Sequence, residues 1–173
     1  MIDFFAWLVA LPLAVTLTYL AIELLCGLRR LPGYPGADSA PTARIVLLVP
    51  AHNEEAGIAA TVAALAGATP GADILVVADN CSDDTARTAQ AAGARVAVRY
   101  DSDQRGKGYA LAFGREQLAS DPPDAVIVVD ADCQLAPGSA DRLAARAVAT
   151  GRPVQAANLL TAAGTASPLV AVS

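Results

Sequence analysis

The stretch that decides the fold runs from residue 44 to residue 85 and reads RIVLLVPAHNEEAGIAATVAALAGATPGADILVVADNCSDDT. It holds two short apolar runs, Ile45 to Val49 and Ile74 to Ala78, and polar residues follow each run at once. A helical pattern from about Glu55 to Ala66 separates them. Short apolar runs bounded by turn signals are typical of buried strands. This stretch therefore predicts the order strand, helix, strand.

The same alternation continues towards the C-terminus. Two further strands are predicted at Val96 to Val98 and Ala125 to Val129, and a weaker fifth strand begins near Pro153. Alternating strands and helices predict an α/β domain with a mostly parallel sheet and flanking helices. In such open sheets the ligand binds beyond the carboxyl ends of the strands. The remaining helical patterns are Asp83 to Ala92, Tyr109 to Ala119 and Ala140 to Ala149.

Towards the N-terminus, Phe4 to Ile22 is uncharged and close to the ~20 residues that a membrane-spanning helix needs. Asp3 precedes this run, whereas Arg29 and Arg30 follow it. That asymmetry favours an uncleaved single-pass anchor with the soluble domain in the cytoplasm. A buried or interfacial helix is the alternative. We predict an anchor with its juxtamembrane segment at residues 1–30, a Pro/Gly-rich linker at 31–43, and one domain at 44–173.

Composition limits the classes of partner. A net charge of −5 without a cluster of lysines and arginines argues against nucleic-acid binding, because phosphate neutralisation supplies most of that affinity. An apolar share of 54% excludes intrinsic disorder. The three cysteines lack CxxC spacing and are odd in number, so neither a zinc site nor a disulfide framework is indicated.

Polar segments follow the first two predicted strands. The first is PAHNEE at residues 50–55, in which Asn53 or Glu54 could cap the next helix. The second is DNCSDDT at residues 79–85, in which Ser82 and Asp83 suit a helix N-terminus. Asp79 comes earlier than a capping residue needs to be. A carboxylate at a strand end can accept hydrogen bonds from the N–H or hydroxyl groups of a ligand.

The fourth predicted strand leads directly into Asp130-Ala131-Asp132. Two carboxylates one residue apart supply hard oxygen ligands for Mg²⁺ or Mn²⁺, and Mg²⁺ is commonly shared between carboxylates and substrate phosphates. A turn or a solvated loop is the alternative for such a short motif. The position at a strand end favours a metal site.

The segment QRGKG at residues 104–108 opens the third helical pattern. Glycines allow close backbone approach, and a helix N-terminus beside Lys107 favours an anion. A flexible, solvated turn is the alternative. Because the chain has neither a GxxxxGK[ST] loop nor a GxGxxG motif after a strand, ordinary nucleoside-triphosphatase and dinucleotide-binding functions are disfavoured. His52 lacks a nearby nucleophile arrangement and is interpreted as a residue of the pocket wall.

The four segments VPAHNEE, VVADNCSDDT, RGKGYAL and VVDADCQ, in this order, resemble the successive motifs of family 2 glycosyltransferases, particularly membrane-bound, synthase-like members. The resemblance extends from about Arg44 to Asn158. It implies a GT-A fold that binds a nucleoside-diphosphate sugar, commonly a UDP-sugar, with Mg²⁺ or Mn²⁺. It also implies transfer of that sugar to an acceptor glycan or lipid.

The resemblance also implies the site residues. Asp79 matches the aspartate that contacts the base, and Lys107 matches the basic residue of the glycine-flanked segment. Asp130 and Asp132 match the Asp-x-Asp pair, in which Asp132 is the better candidate for direct metal coordination. Many members have two consecutive acids where this chain has Asp79-Asn80. The implied nucleotide-sugar-binding set is Pro50, Ala51, His52, Glu54, Asp79, Lys107, Asp130 and Ala131.

Members of this family use an inverting displacement, in which a carboxylate removes the proton of the attacking acceptor hydroxyl. In the family this base belongs to a later acidic motif, and Asp141 is too early in the chain to match it. We therefore expect the chain to be a truncated, N-terminal part of a glycosyltransferase domain without the base. A noncatalytic, membrane-anchored binding module and a sugar-1-phosphate nucleotidyltransferase are the alternatives, although the latter's glycine- and arginine-rich entry loop is missing after the first strand.

Overall fold

The structure is a computed structural model that describes residues 2–27 and 43–156. The chain divides into two compact units, Met1–Gly36 and Ala37–Ser173, which are considered separately. Apart from Ala43, the predicted linker at 31–43 lies outside the described residues, as do Arg29 and Arg30.

The described residues of the first unit form the helix α1 (Ile2–Gly27). Its segment Ala6–Cys26 has a mean hydropathy of 2.1 over the apolar window and is long enough to cross a membrane. Pro12 lies inside the helix, and the hydroxyl of Thr16 donates to the Pro12 carbonyl oxygen at 2.9 Å. Length and composition alone also fit a signal sequence near the N-terminus. Spanning therefore stays a prediction.

The second unit contains a parallel sheet of four strands in the order β3-β2-β1-β4. Helices follow the strands in strict alternation, which confirms the predicted parallel α/β sheet with flanking helices. The strands are β1 (Ile45–Ala51), β2 (Asp73–Asp79), β3 (Arg95–Arg99) and β4 (Ala125–Val128). The helices are α2 (Ile58–Ala68), α3 (Thr85–Ala91), α4 (Lys107–Gln117) and α5 (Ser139–Thr150).

Alternate residues of the central strands enter two different apolar clusters, because successive side chains of a strand point to opposite faces. Leu47 and Val76 lie on the face covered by α2, α3 and α5. Leu48 and Val77 lie on the face covered by α4. Burial on both faces explains why these strands are continuous apolar runs rather than alternating ones.

The helix starts differ from those predicted. α2 begins at Ile58 and its N-cap, Gly57, makes no side-chain cap, so the prediction that Asn53 or Glu54 caps this helix is wrong. The main-chain carbonyl of Glu54 instead accepts from the N–H groups of Gly57 and Ile58 at 3.0 and 2.9 Å. α4 begins two residues before Tyr109, directly after Gly106, whose φ of +109° favours glycine.

The predicted fifth strand is not present in the part that is described beyond α5. Residues 153–156 form neither helix nor strand. Any continuation of this segment, and the apolar run Pro168 to Val172, lies outside the described residues.

Candidate functional site

A cavity of about 540 Å³ opens at the carboxyl ends of β1, β2 and β4, beside the start of α4. This is the edge of the sheet at which an open α/β fold binds its ligand. The lining residues are Pro50, Ala51, His52, Glu54, Asp79, Asn80, Arg105, Gly106, Lys107, Ala110, Asp130, Ala131 and Asp132.

The structure brings every sequence-predicted site residue to this one cavity. The parallel register explains this convergence, since β1 lies between β2 and β4 and all three strands end at the same edge. Sequence reasoning missed Asn80 and Ala110 as lining residues and considered Arg105 and Gly106 only as parts of a loop. The left-handed backbone of Asn80, with φ of 52°, is a local feature that the sequence only hints at.

Asn53 joins the loop after β1 to the loop after β2. Its φ of 56° lies in the left-handed region, which asparagine tolerates better than most residues. Its Oδ1 accepts from the backbone N–H of Ser82 at 2.8 Å. Its own N–H donates to the sulfur of Cys81 at 3.4 Å. Asn53 therefore connects two loops rather than capping a helix.

Asp83 and Thr85 add a second connection between these loops. The backbone N–H of Glu54 donates to Thr85 Oγ1 at 2.8 Å, and that of Glu55 donates to Asp83 Oδ2 at 3.1 Å. The hydroxyl of Thr85, followed by backbone N–H groups, holds the pKa of Asp83 below its usual range. Because the ionised carboxylate is the better acceptor, this shift stabilises the loop pair at neutral pH.

His52 lines the cavity. Its Nδ1 lies 2.7 Å from the carbonyl oxygen of Asp79. A carbonyl oxygen only accepts, so Nδ1 carries the proton of this contact. The contact holds the imidazole across the ends of β1 and β2, and none of its described contacts is to a nucleophilic side chain.

Asp79 ends β2 and is only 6% exposed. The register pairs Asp79 with Arg99 across β2 and β3, and Arg99 Nη1 donates to Asp79 Oδ1 at 2.8 Å. The side-chain amide of Asn80 donates to the same oxygen at 3.0 Å. An aspartate at position 80 could not make this second contact at neutral pH, since its carboxylate has no hydrogen to donate. Asn80 therefore supports Asp79 directly.

Asp130 and Asp132 follow β4 and are exposed to solvent at the cavity. One ligand atom from each, with the sulfur of Cys133, forms a group whose members lie within 4.8 Å of one another. Burial, followed by the charge of Asp132, raises the pKa of the Cys133 thiol. The raised pKa disfavours the thiolate that would bind a metal, whereas the two carboxyl groups offer a pair of hard oxygen ligands, which fits Mg²⁺ or Mn²⁺.

Two contacts fix the position of this acidic segment. The hydroxyl of Thr61 in α2 donates to the Ala131 carbonyl oxygen at 2.5 Å, in a buried environment. The ammonium group of Lys107 forms an ion pair with Asp130. Lys107 therefore lies within reach of whatever binds at the acidic pair.

Solved structures resemble parts of this domain. A mycobacterial protein aligns with a TM-score of 0.51 and 28% identity, over 62% of this chain and 38% of its own. Glucosyl-3-phosphoglycerate synthase from Mycobacterium tuberculosis, in complex with Mg²⁺ and uridine diphosphate, aligns with a TM-score of 0.46 and 31% identity, over 56% of this chain and 36% of its own. Its complex with Mn²⁺, UDP-glucose and phosphoglyceric acid aligns with a TM-score of 0.48 and 29% identity, over 64% and 42%.

The chain thus spans less than half the length of these solved proteins. No curated protein sequence matches it. A family model described as "Glycosyl transferase family 2" matches residues 46–159, which include all four motifs and the whole cavity. The match covers about two thirds of the chain, and on this ground the chain belongs to glycosyl transferase family 2.

Proposed function

We propose that this domain binds a nucleoside-diphosphate sugar, specifically a UDP-sugar, together with Mg²⁺ or Mn²⁺, for inverting transfer of the sugar to an acceptor hydroxyl. The observation that carries the proposal is the convergence of three kinds of group on one cavity: the carboxylate Asp79, the cation Lys107 and the acidic pair Asp130 and Asp132. These are the groups that a base or ribose, a diphosphate and a divalent cation require.

The geometry suggests how the donor is held. Asp79 accepts from an N–H of the base, while Pro50, His52 and Glu54 contribute further lining of the same cavity. The diphosphate lies near Lys107 and the first backbone N–H groups of α4, where the helix dipole favours an anion. Asp132 and Asp130 would hold the cation, which would stabilise negative charge on the departing diphosphate. Among the described residues we assign none to the removal of the acceptor's proton.

The test is calorimetric titration of the detergent-solubilised full chain with UDP, first with Mn²⁺ and then with EDTA. We expect saturable binding that weakens when EDTA removes the cation, because the acidic pair then repels the diphosphate instead of sharing a metal with it. A folded chain that takes up no UDP in Mn²⁺ would refute the proposal.

We also propose a membrane location for the chain. α1 anchors the chain as a single-pass membrane protein, and the domain that follows it is cytoplasmic. Two features support this location: the apolar length of Ala6–Cys26, and the order of charges, with Asp3 before the helix and Arg29 and Arg30 after it.

We expect the full-length chain to stay in the membrane pellet after carbonate extraction. Leu17→Asp should release part of it, because an acidic residue at a helix centre costs about 3 kcal/mol of insertion free energy. Ser139→Asp, at the start of α5, is the matched charge control. Complete release of the unmodified chain, or a product shortened at its N-terminus as by signal cleavage, contradicts the anchor.

A further inference from the structure

Arg99 occupies the last position of β3 and is not among the residues that line the cavity. Its side chain is nevertheless only 10% exposed and makes three hydrogen bonds to three different residues. Nη1 donates to Asp79 Oδ1 at 2.8 Å and to the Gln104 carbonyl oxygen at 2.7 Å. Nη2 donates to Asp101 Oδ2 at 3.0 Å. A charge this far from water needs such partners.

The partners of Arg99 belong to two separate segments, and among them Asp79 lines the cavity, whereas Asp101 and Gln104 lie just before the lining residues Arg105 to Lys107. Asp79 ends β2, whereas Asp101 and Gln104 belong to the loop that leads to Lys107. Within that loop, Asp101 Oδ1 accepts from the backbone N–H groups of Asp103 and Gln104, both at 2.9 Å. These two N–H groups, that of Gln104 first, hold the pKa of Asp101 below its usual range, so it stays anionic opposite the guanidinium.

A fourth contact of Arg99 reaches α4 itself. The guanidinium carbon of Arg99 lies 5.7 Å from the ring centroid of Tyr109, in the first turn of the helix that begins with Lys107. This distance is within the range of a cation–π interaction. One side chain therefore touches the strand end that carries Asp79, the loop, and the helix start that carries Lys107.

We infer that Arg99 is a positioning residue that couples Asp79 to Lys107, so that the nucleoside and the diphosphate of one ligand are bound cooperatively. The inference rests on the proposed function. Among the described residues, both donors to Asp79 go to Oδ1, which leaves Oδ2 as the acceptor for the ligand. A bound nucleoside that orders Asp79 also orders Arg99, and through it the loop that presents Lys107 to the diphosphate.

Lysine cannot replace arginine in this position. The guanidinium is planar and carries five donors in a fixed arrangement, whereas the ammonium of lysine is a compact charge on a flexible stem. Arg99→Lys keeps the charge but cannot hold Asp79, Asp101 and the Gln104 carbonyl together. We expect about a tenfold weaker Kd for UDP in Mn²⁺, which corresponds to the loss of one hydrogen bond to a charged group.

The decisive experiment is a double-mutant cycle of Asp79→Asn and Lys107→Ala, measured as Kd for UDP in Mn²⁺ by calorimetry. Each single variant weakens UDP binding by some factor in Kd, and independent sites would give a double variant whose factor is the product of the two. With Arg99 in place, we expect the factor of the double variant to depart from that product by about fivefold or more, which is the lower range of coupling between linked sites. In the Arg99→Lys background, the factor in Kd of the double variant should equal the product of the two single factors. A purely structural role of Arg99 would weaken all variants alike and leave the departure unchanged.

Arg87→Lys is the matched control, because Arg87 pairs with Asp84 on the exposed surface and outside the cavity. It should leave both the Kd and the departure as in the unmodified chain. If thermal unfolding shows that Arg99→Lys does not fold, Asp101→Asn takes its place in the cycle. Its amide oxygen can keep the two backbone N–H groups of Asp103 and Gln104, which places the NH₂, a donor, opposite Nη2 and leaves Arg99 intact.

The outcomes separate the inference from the function on which it rests. If the unmodified chain binds UDP but the departure from the product persists in the folded Arg99→Lys or Asp101→Asn background, the coupling through Arg99 is overturned. The proposed function then still stands. An unmodified, folded chain that binds no UDP overturns the proposed function, and the coupling with it.

Discussion

Asp132→Ala is expected to abolish the metal-dependent part of UDP binding, with a loss in affinity of about 100-fold or more in Mn²⁺. The site offers two carboxylates, Asp130 and Asp132, and Asp130 is also paired with Lys107. Removing one carboxylate from so small a donor set leaves the cation with too few protein ligands, and even outer-shell changes at metal sites cost about 10- to 100-fold. Calorimetric titration of the detergent-solubilised variant measures the effect.

The EDTA arm makes this prediction specific. Without a cation, the acidic pair repels the diphosphate, so removing one carboxylate should leave UDP affinity equal to, or higher than, that of the unmodified chain. The variant should therefore bind UDP more weakly than the unmodified chain in Mn²⁺, but not more weakly in EDTA. A general loss of structure would weaken binding in both conditions, which the data would show at once.

Asp141→Ala is the control for the change in charge. Asp141 is an exposed aspartate in the first turn of α5 and does not line the cavity. This variant should bind UDP in Mn²⁺ as the unmodified chain does. If Asp132→Ala retained full Mn²⁺-dependent affinity, the acidic pair would not be the metal site.

The strand-end motifs could be located from sequence because the rule behind them is local. The strand β2 is a buried, continuous apolar run, so the first polar residue after that run, Asp79, marks its carboxyl end. The edge strand β4 is partly exposed, but its apolar run likewise ends just before Asp130. Parallel pairing then brings those ends to one edge without any knowledge of register. For this reason the predicted residues line a single cavity, although their contacts with a ligand stay a prediction.

The supporting contacts could not be predicted because they depend on register and on local backbone. Arg99 meets Asp79 only because β2 and β3 pair with these two residues opposite each other. Asparagine is a residue type that commonly caps helices, but Asn53 has a left-handed backbone and its side chain contacts Ser82. Its hydrogen bonds go to Ser82 and Cys81 in the neighbouring loop, which are far from it in sequence.

The packing of α4 on the sheet depends on a residue that sequence analysis passed over. Gly114 lies in the middle of α4, where a Cβ atom would lie 2.6 Å from Leu48 Cδ1 and 3.1 Å from Val77 Cγ2. Both neighbours are buried central-strand side chains, 3% and 0% exposed. The interior is already close-packed, so these side chains have little room to move away. Glycine at this position therefore sets how closely the helix approaches the sheet.

Gly114→Val is expected to lower the free energy of unfolding by about 3 kcal/mol, the upper part of the range for overpacked cores. Replacing glycine in a helix returns only a few tenths of a kcal/mol when the new residue is β-branched, so the steric term decides the sign. Thermal unfolding of the detergent-solubilised chain, followed by circular dichroism, should show a midpoint lower by roughly 10 °C. Because α4 also begins with Lys107, a displaced helix should weaken UDP binding as well.

Gly67→Val tests whether the loss comes from crowding at the sheet or from valine in a helix. Gly67 lies in α2, and a Cβ atom there would meet nothing within 4 Å beyond its chain neighbours and the backbone of its own helix. The same substitution should therefore leave the unfolding midpoint nearly unchanged, because the propensity difference is small and no packed neighbour is displaced. An equal decrease of the unfolding midpoint in both variants would show that the close approach of α4 to the sheet at Gly114 does not determine the stability of the domain. A loss confined to Gly114→Val would instead show that the stability of the domain depends on the close packing of α4. Because α4 also begins with Lys107, one packing contact would then determine both the stability of the domain and the position of Lys107.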